Sequence, residues 1–205
     1  NGDLHRFFAG DPSAGVYMSG FYVVMMLGLP AMAYAIWLNT PKAYRKKAAA
    51  ILAGVAFTSF LTGITEPLEF LFLFVAPLLF IVHAVLTGLA LAAAQALDIH
   101  AGFGFSAGFI DYVINYKLAT HPLRIIPLGL FFAAIYFAVS YYTIKLFNLK
   151  ILETELSGEE KDAADTSKEA AAFIAALGGV KNIVTTDACI TRLRMGVKES
   201  EILHD

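Results

Sequence analysis

The single cysteine of the chain, Cys189, stands in the sequence DACITRLR at residues 187–194, with arginines at positions 192 and 194. Two guanidinium groups near a thiol lower its pKa and bind oxyanions, because both effects favour negative charge. Such a thiolate can accept a phosphoryl group. A lone cysteine cannot form an internal disulfide and is more often inert, so the nearby arginines are what favours chemistry here.

Glu66 is the second residue whose surroundings suggest chemistry. The 18 residues before it, 48–65, contain no Asp, Glu, Lys or Arg. A carboxylate inside a bilayer is costly, so we expect Glu66 to face a cavity and a partner. Gly63 and Pro67 should open the helix around it and free backbone groups that can bind a polyol. The alternative is that Glu66 and Glu69 lie at a helix end in the membrane interface, and spacing does not decide between the two.

A third candidate is the small-residue segment that lies between His100 and Asp111. Its glycines and alanines allow close backbone approach, and the rings of Phe103 and Phe105 could stack on a sugar face. Small residues also serve ordinary helix packing, so the pattern alone is weak. His83 stands in a long apolar stretch, where we interpret it as a hydrogen-bond partner of a neighbouring helix.

Composition excludes several classes of protein. Of 205 residues, 58% are hydrophobic and 16% charged, which is too apolar for an ordinary soluble domain and rules out disorder, fibrous repeats and a disulfide scaffold. A net charge of −2 suggests no nucleic-acid partner. Residues 1–150 carry nine basic and six acidic side chains, whereas 151–205 carry six and eleven. The chain therefore combines two physical environments.

Long stretches without charged residues predict membrane helices, since about 20 residues span a bilayer as a helix. Gly28-Leu29-Pro30 and Ala76-Pro77 interrupt two of them, as is typical of transporters. The charge-free stretches are 12–41, 48–65, 70–97 and 125–144.

The basic residues of 42–47 should lie in the cytoplasm, and Lys145 and Lys150 indicate the same side for the far end. Three apolar runs lie between these points, and an odd number of crossings cannot return the chain to the side it left. One segment must therefore enter the membrane and turn back. The candidates are the region around residues 65–67 and the segment 100–116.

The remainder of the chain predicts a separate domain. Residues 151–166 have the composition of an acidic linker. Ser167 is a plausible N-cap for a helix over 167–177, and 183–197 predicts a strand, a turn and a second strand. Because 167–205 is too short for a stable core, we expect it to begin a larger α/β domain. The first residue is not Met, which suggests a piece of a longer protein.

Two motifs follow one another along the chain: GITEPLEF at 63–70 and, after an acidic linker, DACITRLR at 187–194. Together they resemble the sugar permeases of the bacterial phosphoenolpyruvate-dependent phosphotransferase system, in the glucose superfamily. The resemblance covers essentially the whole chain. It implies an α-helical polytopic membrane domain with a re-entrant segment, followed by the start of a small α/β domain: the C-terminal part of IIC over 1–150 and the N-terminal part of IIB over 167–205.

Two stretches resemble the N-acetylglucosamine branch of this superfamily. One is IHAGFGFSAG at 99–108, with Asp111-Tyr112 after it. The other is Met25-Met26, where glucose permeases tend to carry a lysine. The resemblance thus favours N-acetylglucosamine over glucose, which remains the alternative sugar.

The resemblance also implies roles. A phosphoryl group would pass from a phosphohistidine on IIA, itself charged by HPr, to the IIB cysteine and then to the 6-hydroxyl of the sugar. The resemblance implies no cofactor or metal. It implies a homodimer in the bacterial inner membrane, with IIB in the cytoplasm. The expected catalytic residues are Cys189, Arg192 and Arg194, and the expected sugar-binding residues are Glu66, His100, Phe103, Ser106 and Asp111.

The family pattern is incomplete in this sequence. A family histidine expected near the sugar 6-hydroxyl is absent, as is most of the IIB sheet, so we expect the fragment to be inactive alone. Whether a IIA domain follows on the same chain is open. Two other classes remain: a facilitator that moves sugar without phosphorylating it, and a regulatory membrane protein whose IIB arm binds a partner according to its phosphorylation.

Overall fold

The computed structural model describes residues 2–189 and 192–199, and the chain divides into two units, 1–154 and 155–205. The first unit is built of helices joined by loops, the one between α6 and α7 running from 97 to 108. In chain order its helices are α1 (Asp3–Phe8), α2 (Ser19–Val23), a π-helix (Val24–Gly28), α3 (Leu29–Asn39), α4 (Arg45–Thr62), α5 (Glu66–Leu73), α6 (Pro77–Ala96), α7 (Phe109–Ile114), a 3-10 turn (Pro122–Arg124) and α8 (Ile125–Phe147).

The predicted interruption at Gly28-Leu29-Pro30 is a change of helix type. The π-helix joins α2 to α3 in one continuous rod, Ser19–Asn39, and Pro30 lies in the first turn of α3. Inside the π-helix, the carbonyl of Met25 accepts a hydrogen bond of 2.6 Å from the hydroxyl of Ser59 on α4. A neighbouring helix thus supplies a partner for a carbonyl at the irregularity, as apolar surroundings demand.

Within the described residues, three helical segments are long and apolar enough to cross a membrane: Ser19–Asn39, Pro77–Ala96 and Pro122–Phe147. The predicted span over 48–65 forms α4, which is not among them. The predicted helix is confirmed but begins upstream of the charge-free run, and its crossing of the membrane stays a prediction. Its first turn contains Arg45, Lys46 and Lys47, and charges lower the mean hydropathy of a helix.

Two short helices lie between the longer ones. The predicted break at Ala76-Pro77 is confirmed, since α5 ends at Leu73 and α6 begins at Pro77. The eight residues of α5 extend about 12 Å, less than half of a bilayer core of about 30 Å. Six-residue α7 is shorter still. Both predicted re-entrant regions therefore contain a short helix between loops, and re-entry itself stays a prediction.

The core of the first unit lies where α8 packs against α3 and the π-helix. Met32 and Ile36 of α3 and Phe132 and Tyr136 of α8 are buried there. These side chains hold together the long helices of the unit.

The second unit contains most of helix α9 (Glu153–Ala176), a 3-10 turn (Val180–Asn182) and the antiparallel strands β1 (Ile183–Cys189) and β2 (Arg192–Val197). The two predicted strands are confirmed, and residues 190 and 191, where the turn was predicted, lie outside the described residues. The predicted helix start at Ser167 is wrong, because α9 is continuous through 167 and the predicted linker is helical. The four Glu residues of 151–166, with Leu152, Leu156 and two Ala, favour a helix, so an acidic composition did not exclude helical structure here.

Candidate functional site

Glu66 is the first residue of α5, and its side chain is exposed. The amide of Thr65 donates a 3.1 Å hydrogen bond to its carboxylate. Before it, Gly63 ends α4 in the left-handed conformation with φ of 74°, which glycine adopts without strain. Pro67 lies in the first turn of α5, where a missing N–H costs nothing. The expectation that Gly63 and Pro67 break the helix around Glu66 is thus confirmed.

The segment around Ser106 packs directly on the loop that precedes Glu66. The Ser106 hydroxyl donates a 2.8 Å hydrogen bond to the carbonyl of Gly63. A Cβ atom on Gly63 would lie 2.8 Å from the amide nitrogen of Gly108, and one on Gly108 would overlap the backbone of Thr62 and Gly63. Two backbones separated by more than 40 residues therefore meet where only glycine fits.

Asp111 holds the turn that presents Ser106. Its Oδ1 accepts a 2.7 Å hydrogen bond from the amide of Gly104, and its Oδ2 accepts one of 3.3 Å from the amide of Ser106. The side-chain amide of Asn115 donates to Oδ1 at 3.1 Å. The carboxylate is buried and both of its oxygens have donors, as a buried charge requires.

The other end of this segment is attached to the first span. The hydroxyl of Ser19 donates to the carbonyl of Ile99 at 2.6 Å, and the hydroxyl of Tyr22 donates to that of Gly102 at 2.8 Å. The ring of Phe103 packs edge-on against that of Tyr22, with centroids 6.0 Å apart. Of the two rings predicted to stack on a sugar, Phe103 is thus held in packing, whereas Phe105 is 71% exposed.

His100 is bound to the loop near the N-terminus. Its Nδ1 lies 2.8 Å from the carbonyl oxygen of Pro12, and its Nε2 lies 3.3 Å from the carboxylate of Asp98. In the same loop, hydrogen bonds from Ser13 and then from Arg6 lower the pKa of Asp11 to about 2. No hydrogen bond or ion pair joins His100 to Glu66 in the part of the chain that the structure describes.

The backbone around Cys189 has the predicted form. β1 ends at Cys189 and β2 begins at Arg192, and the register pairs these two residues. It also pairs Asp187 with Arg194. Residues 190 and 191, which lie between the strands, are outside the described residues.

Asn182 ties the strand pair to the end of α9. Its side-chain amide donates to the carbonyl of Leu177 at 2.9 Å and to that of Glu199 at 3.0 Å. The amide of Glu199 donates back to the Asn182 side chain at 3.0 Å. One buried side chain therefore joins the residues that follow the helix to the segments on either side of the hairpin.

The interpretation of His83 is confirmed, since its Nδ1 lies 3.2 Å from the hydroxyl of Tyr136 on α8. The backbone contact between Gly63 and Gly108 was missed from the sequence, because nothing in either motif reveals its partner. Over residues 2–189 and 192–199, no three His, Cys, Asp or Glu side chains are grouped as a metal site would need.

Comparison with known proteins agrees with the two motifs. Residues 3–88 match the family "Phosphotransferase system, EIIC", and residues 171–203 match "phosphotransferase system, EIIB".

Relatives align along the whole chain. It is 48% identical to the N-acetylglucosamine-specific EIICBA component of Klebsiella pneumoniae, covering 100% of this chain and 33% of the relative. Identity is 45% to the N-acetylglucosamine-specific EIICB component of Bacillus subtilis (strain 168), with coverage of 100% and 46%. It is 44% to the glucosamine-specific EIICBA component of the same strain, with coverage of 100% and 33%. The chain spans between a third and a half of these curated relatives. From the two family matches and these alignments, the chain belongs to the phosphotransferase-system permeases, with an EIIC part followed by an EIIB part.

Proposed function

We propose that the protein to which this chain belongs couples uptake of N-acetylglucosamine to phosphorylation of the sugar at its 6-hydroxyl. The observation that carries the proposal is the contact between two motifs: the segment 99–108, which resembles the N-acetylglucosamine branch, is docked on the Glu66 loop through Gly63 and Gly108. Relatives named as N-acetylglucosamine-specific align over the whole chain. Their names support the same sugar here.

In this proposal Glu66 binds the sugar directly. Its carboxylate is exposed at the first residue of α5, so its oxygens are open to a ligand. A carboxylate has four lone-pair sites and can accept bonds from several sugar hydroxyls. The exposed ring of Phe105 offers an apolar face to the pyranose.

The other predicted sugar-binding residues act by shaping the segment. Ser106 holds it against the loop before Glu66, and Asp111 holds the turn of the segment at Gly104 and Ser106. His100 and Phe103 attach its other end to the N-terminal loop and to the first span. Their contribution to specificity is to set where the backbone of 104–108 lies.

Phosphoryl transfer would proceed in two displacements. The thiolate of Cys189 attacks the phosphorus of a phosphohistidine on IIA, so that an S–P bond forms while the N–P bond breaks. The 6-hydroxyl oxygen of the sugar then attacks phosphorus, forming an O–P bond as Cys189 leaves as a thiolate and the hydroxyl proton passes to a base. Arg192 and Arg194 would stabilise the negative charge. The phosphorylated IIA is the donor, and no cofactor is required.

We further propose the topology and assembly. Residues 1–150 belong to IIC, 151–166 connect the domains and 167–205 begin a cytoplasmic IIB, with the protein crossing the bacterial inner membrane several times as a homodimer. Between the basic residues of 42–47 and Lys145, α6 and α8 are the two candidate spans. Two crossings return the chain to its starting side, so α4 and α5 would supply the segment that dips in and turns back.

The experiment is phosphoryl transfer from phosphorylated IIA to labelled sugar, in membranes that contain the whole protein. We expect transfer to N-acetylglucosamine, abolished in Cys189→Ser and retained in the control Thr186→Ser on the same strand. Transfer to glucosamine alone, the sugar of one 44% identical relative, would correct the substrate but keep the mechanism. Transfer that persists in Cys189→Ser would contradict the mechanism, and uptake of unphosphorylated sugar would favour a facilitator.

A further inference from the structure

One acidic side chain that the proposed function does not use lies next to Glu66 on the same short helix. Glu69 follows Glu66 by three residues on α5, so both side chains project from neighbouring positions of one helical face. The Oε1 atom of Glu69 lies 3.6 Å from Nε2 of His83, which belongs to α6. The side chain of His83 is 10% exposed and that of Glu69 25%. A polar contact thus joins the Glu66 helix to a candidate span.

The ring of His83 is held from its other side as well. Its Nδ1 lies 3.2 Å from the hydroxyl of Tyr136 on α8. That hydroxyl also lies 3.2 Å from the hydroxyl of Thr87, which donates to the carbonyl of His83 at 2.9 Å. Tyr136 is fully buried. A chain of polar contacts therefore runs from α5 through α6 to α8.

Close packing fixes the far end of this chain. A Cβ atom on Gly28 in the π-helix would lie 2.9 Å from the ring of Tyr136, so the ring sits directly on the backbone there. Packed interiors leave few voids, and a ring in such a position has little freedom to move. The hydroxyl of Tyr136 consequently provides a fixed point against which His83 is oriented.

The short helix α5 needs such an anchor. Eight residues form too short a helix to be stable alone, so tertiary contacts decide how it lies. Leu68 and Phe72 are completely buried and hold one face of α5 in the core. Apolar contacts are not directional, whereas a polar contact constrains orientation. The approach of Glu69 to His83 is such a polar contact, and the ring of Phe72 on α5 also packs edge-on against the ring of His83, with centroids 5.9 Å apart. Both contacts constrain the rotation of α5, and with it the direction of Glu66.

We propose that Glu69 and His83, with Tyr136 behind them, are positioning residues that hold Glu66 in its sugar-binding orientation. This inference rests on the proposed function of Glu66. It assigns the polar groups of α6 and α8 a role in sugar affinity, although none of them touches the sugar.

The test compares Glu69→Gln, His83→Gln and Tyr136→Phe in the whole protein, with phosphorylated IIA as donor and labelled N-acetylglucosamine as acceptor. We expect KM for the sugar to rise about tenfold in the first two variants and about threefold in Tyr136→Phe, since contacts to charged groups are the stronger ones. kcat and phosphorylation of the protein by IIA should stay within about twofold of the parent. A merely structural defect would lower both.

The matched control is Ser140→Ala. Ser140 lies one turn after Tyr136 on α8 and is completely buried, and its hydroxyl has no hydrogen-bond partner among the described residues. Removing it should leave KM unchanged. The double variant Glu69→Gln/His83→Gln should have the KM of the more affected single variant, because the two residues act as one unit.

Three results would overturn the inference: an unchanged KM in Tyr136→Phe, which keeps the ring packed on Gly28; additive effects in the double variant; or equal changes in Ser140→Ala. The variant Glu66→Gln separates this failure from failure of the proposed function. If Glu66→Gln is defective while the three positioning variants are normal, only the inference falls. If Glu66→Gln is itself normal, the inference falls together with the proposed role of Glu66 in binding the sugar, whereas Cys189→Ser still tests the phosphorylation.

Discussion

The loop before Glu66 (residues 63–65, the Glu66 loop) and the β1–β2 hairpin at Cys189 are held by partners at different distances along the chain. The loop is completed by a segment 43 residues away, where Ser106 donates to the carbonyl of Gly63. In the hairpin, the backbone register pairs Cys189 with Arg192, which is three residues further along the chain. One candidate site is therefore a tertiary assembly and the other a local hairpin.

Because of this difference, we expect the two sites to respond differently to amino-acid substitutions. In the loop, two backbones meet where a single Cβ atom would overlap the neighbouring chain. In the hairpin, strand pairing and the Asn182 bonds hold the backbone. Substitutions near the loop should therefore change distant residues, whereas substitutions near the hairpin should act locally.

The largest expected effect is that of substituting Cys189, and comparison with a substitution of Glu66 distinguishes the two reactions. Cys189→Ser in the whole protein should prevent both phosphorylation by IIA and transfer to sugar, because it removes the phosphoryl acceptor. Glu66→Gln should keep the first reaction and slow sugar transfer at subsaturating sugar about 100-fold, as expected for loss of bonds to a charged group. Both reactions can be followed with labelled phosphoryl donor. Loss of protein phosphorylation in Glu66→Gln would show that the regions do not work separately.

The second prediction concerns the glycine contact. Gly108→Ala should destabilise the protein by about 3 kcal/mol, because its Cβ would overlap the backbone of Thr62 and Gly63. Gly54→Ala on α4 is the matched control, since nothing lies within 4 Å of its added Cβ and alanine favours the helix by roughly 0.5–1 kcal/mol. Thermal unfolding in detergent measures both. Equal Tm values for the two variants would refute the tertiary assembly of the loop.

The third prediction tests the local character of the hairpin. Asn182→Ala removes the bonds to Leu177 and Glu199 and should weaken the second unit by about 2 kcal/mol. Hydrogen exchange of the β1 amides should become faster, with α6 unaffected. Lys181→Ala, at the exposed neighbouring position, serves as the control. Faster exchange in α6 as well would contradict a local effect.

The smallest expected effect is that of Ser106→Ala. Losing its 2.8 Å bond to Gly63 should cost about 1 kcal/mol and raise KM for the sugar about fivefold. Thr58→Ala is the control, because among the described residues that hydroxyl bonds to Gly54 of its own helix. Sugar-dependent phosphoryl transfer gives both values. A KM that does not change in Ser106→Ala would mean that the segment recognises sugar independently of the loop.

Local patterns predicted the elements correctly where the signal lies within a few residues. Gly63 and Pro67 predicted the break before Glu66, and Ala76-Pro77 predicted the start of α6. The pattern did not predict where α4 and α9 begin. Upstream basic residues belong to α4, and α9 extends back from the predicted start at Ser167 to Glu153. A charge-free run indicates a membrane environment and an acidic run an aqueous one. The environment only partly determines where a helix begins.

The sequence by itself determined the order of an EIIC part and an EIIB part, the motif around each candidate site and the hairpin at Cys189. Those features depend on residues that are close along the chain. Only the tertiary structure decided that Gly108 lies on Gly63, that Asp111 holds the turn at Ser106 and that Tyr136 reaches His83. The physical reason is that a glycine or a buried hydroxyl can satisfy its packing and hydrogen bonding with many partners. Which partner it meets is set by how the long apolar helices pack together.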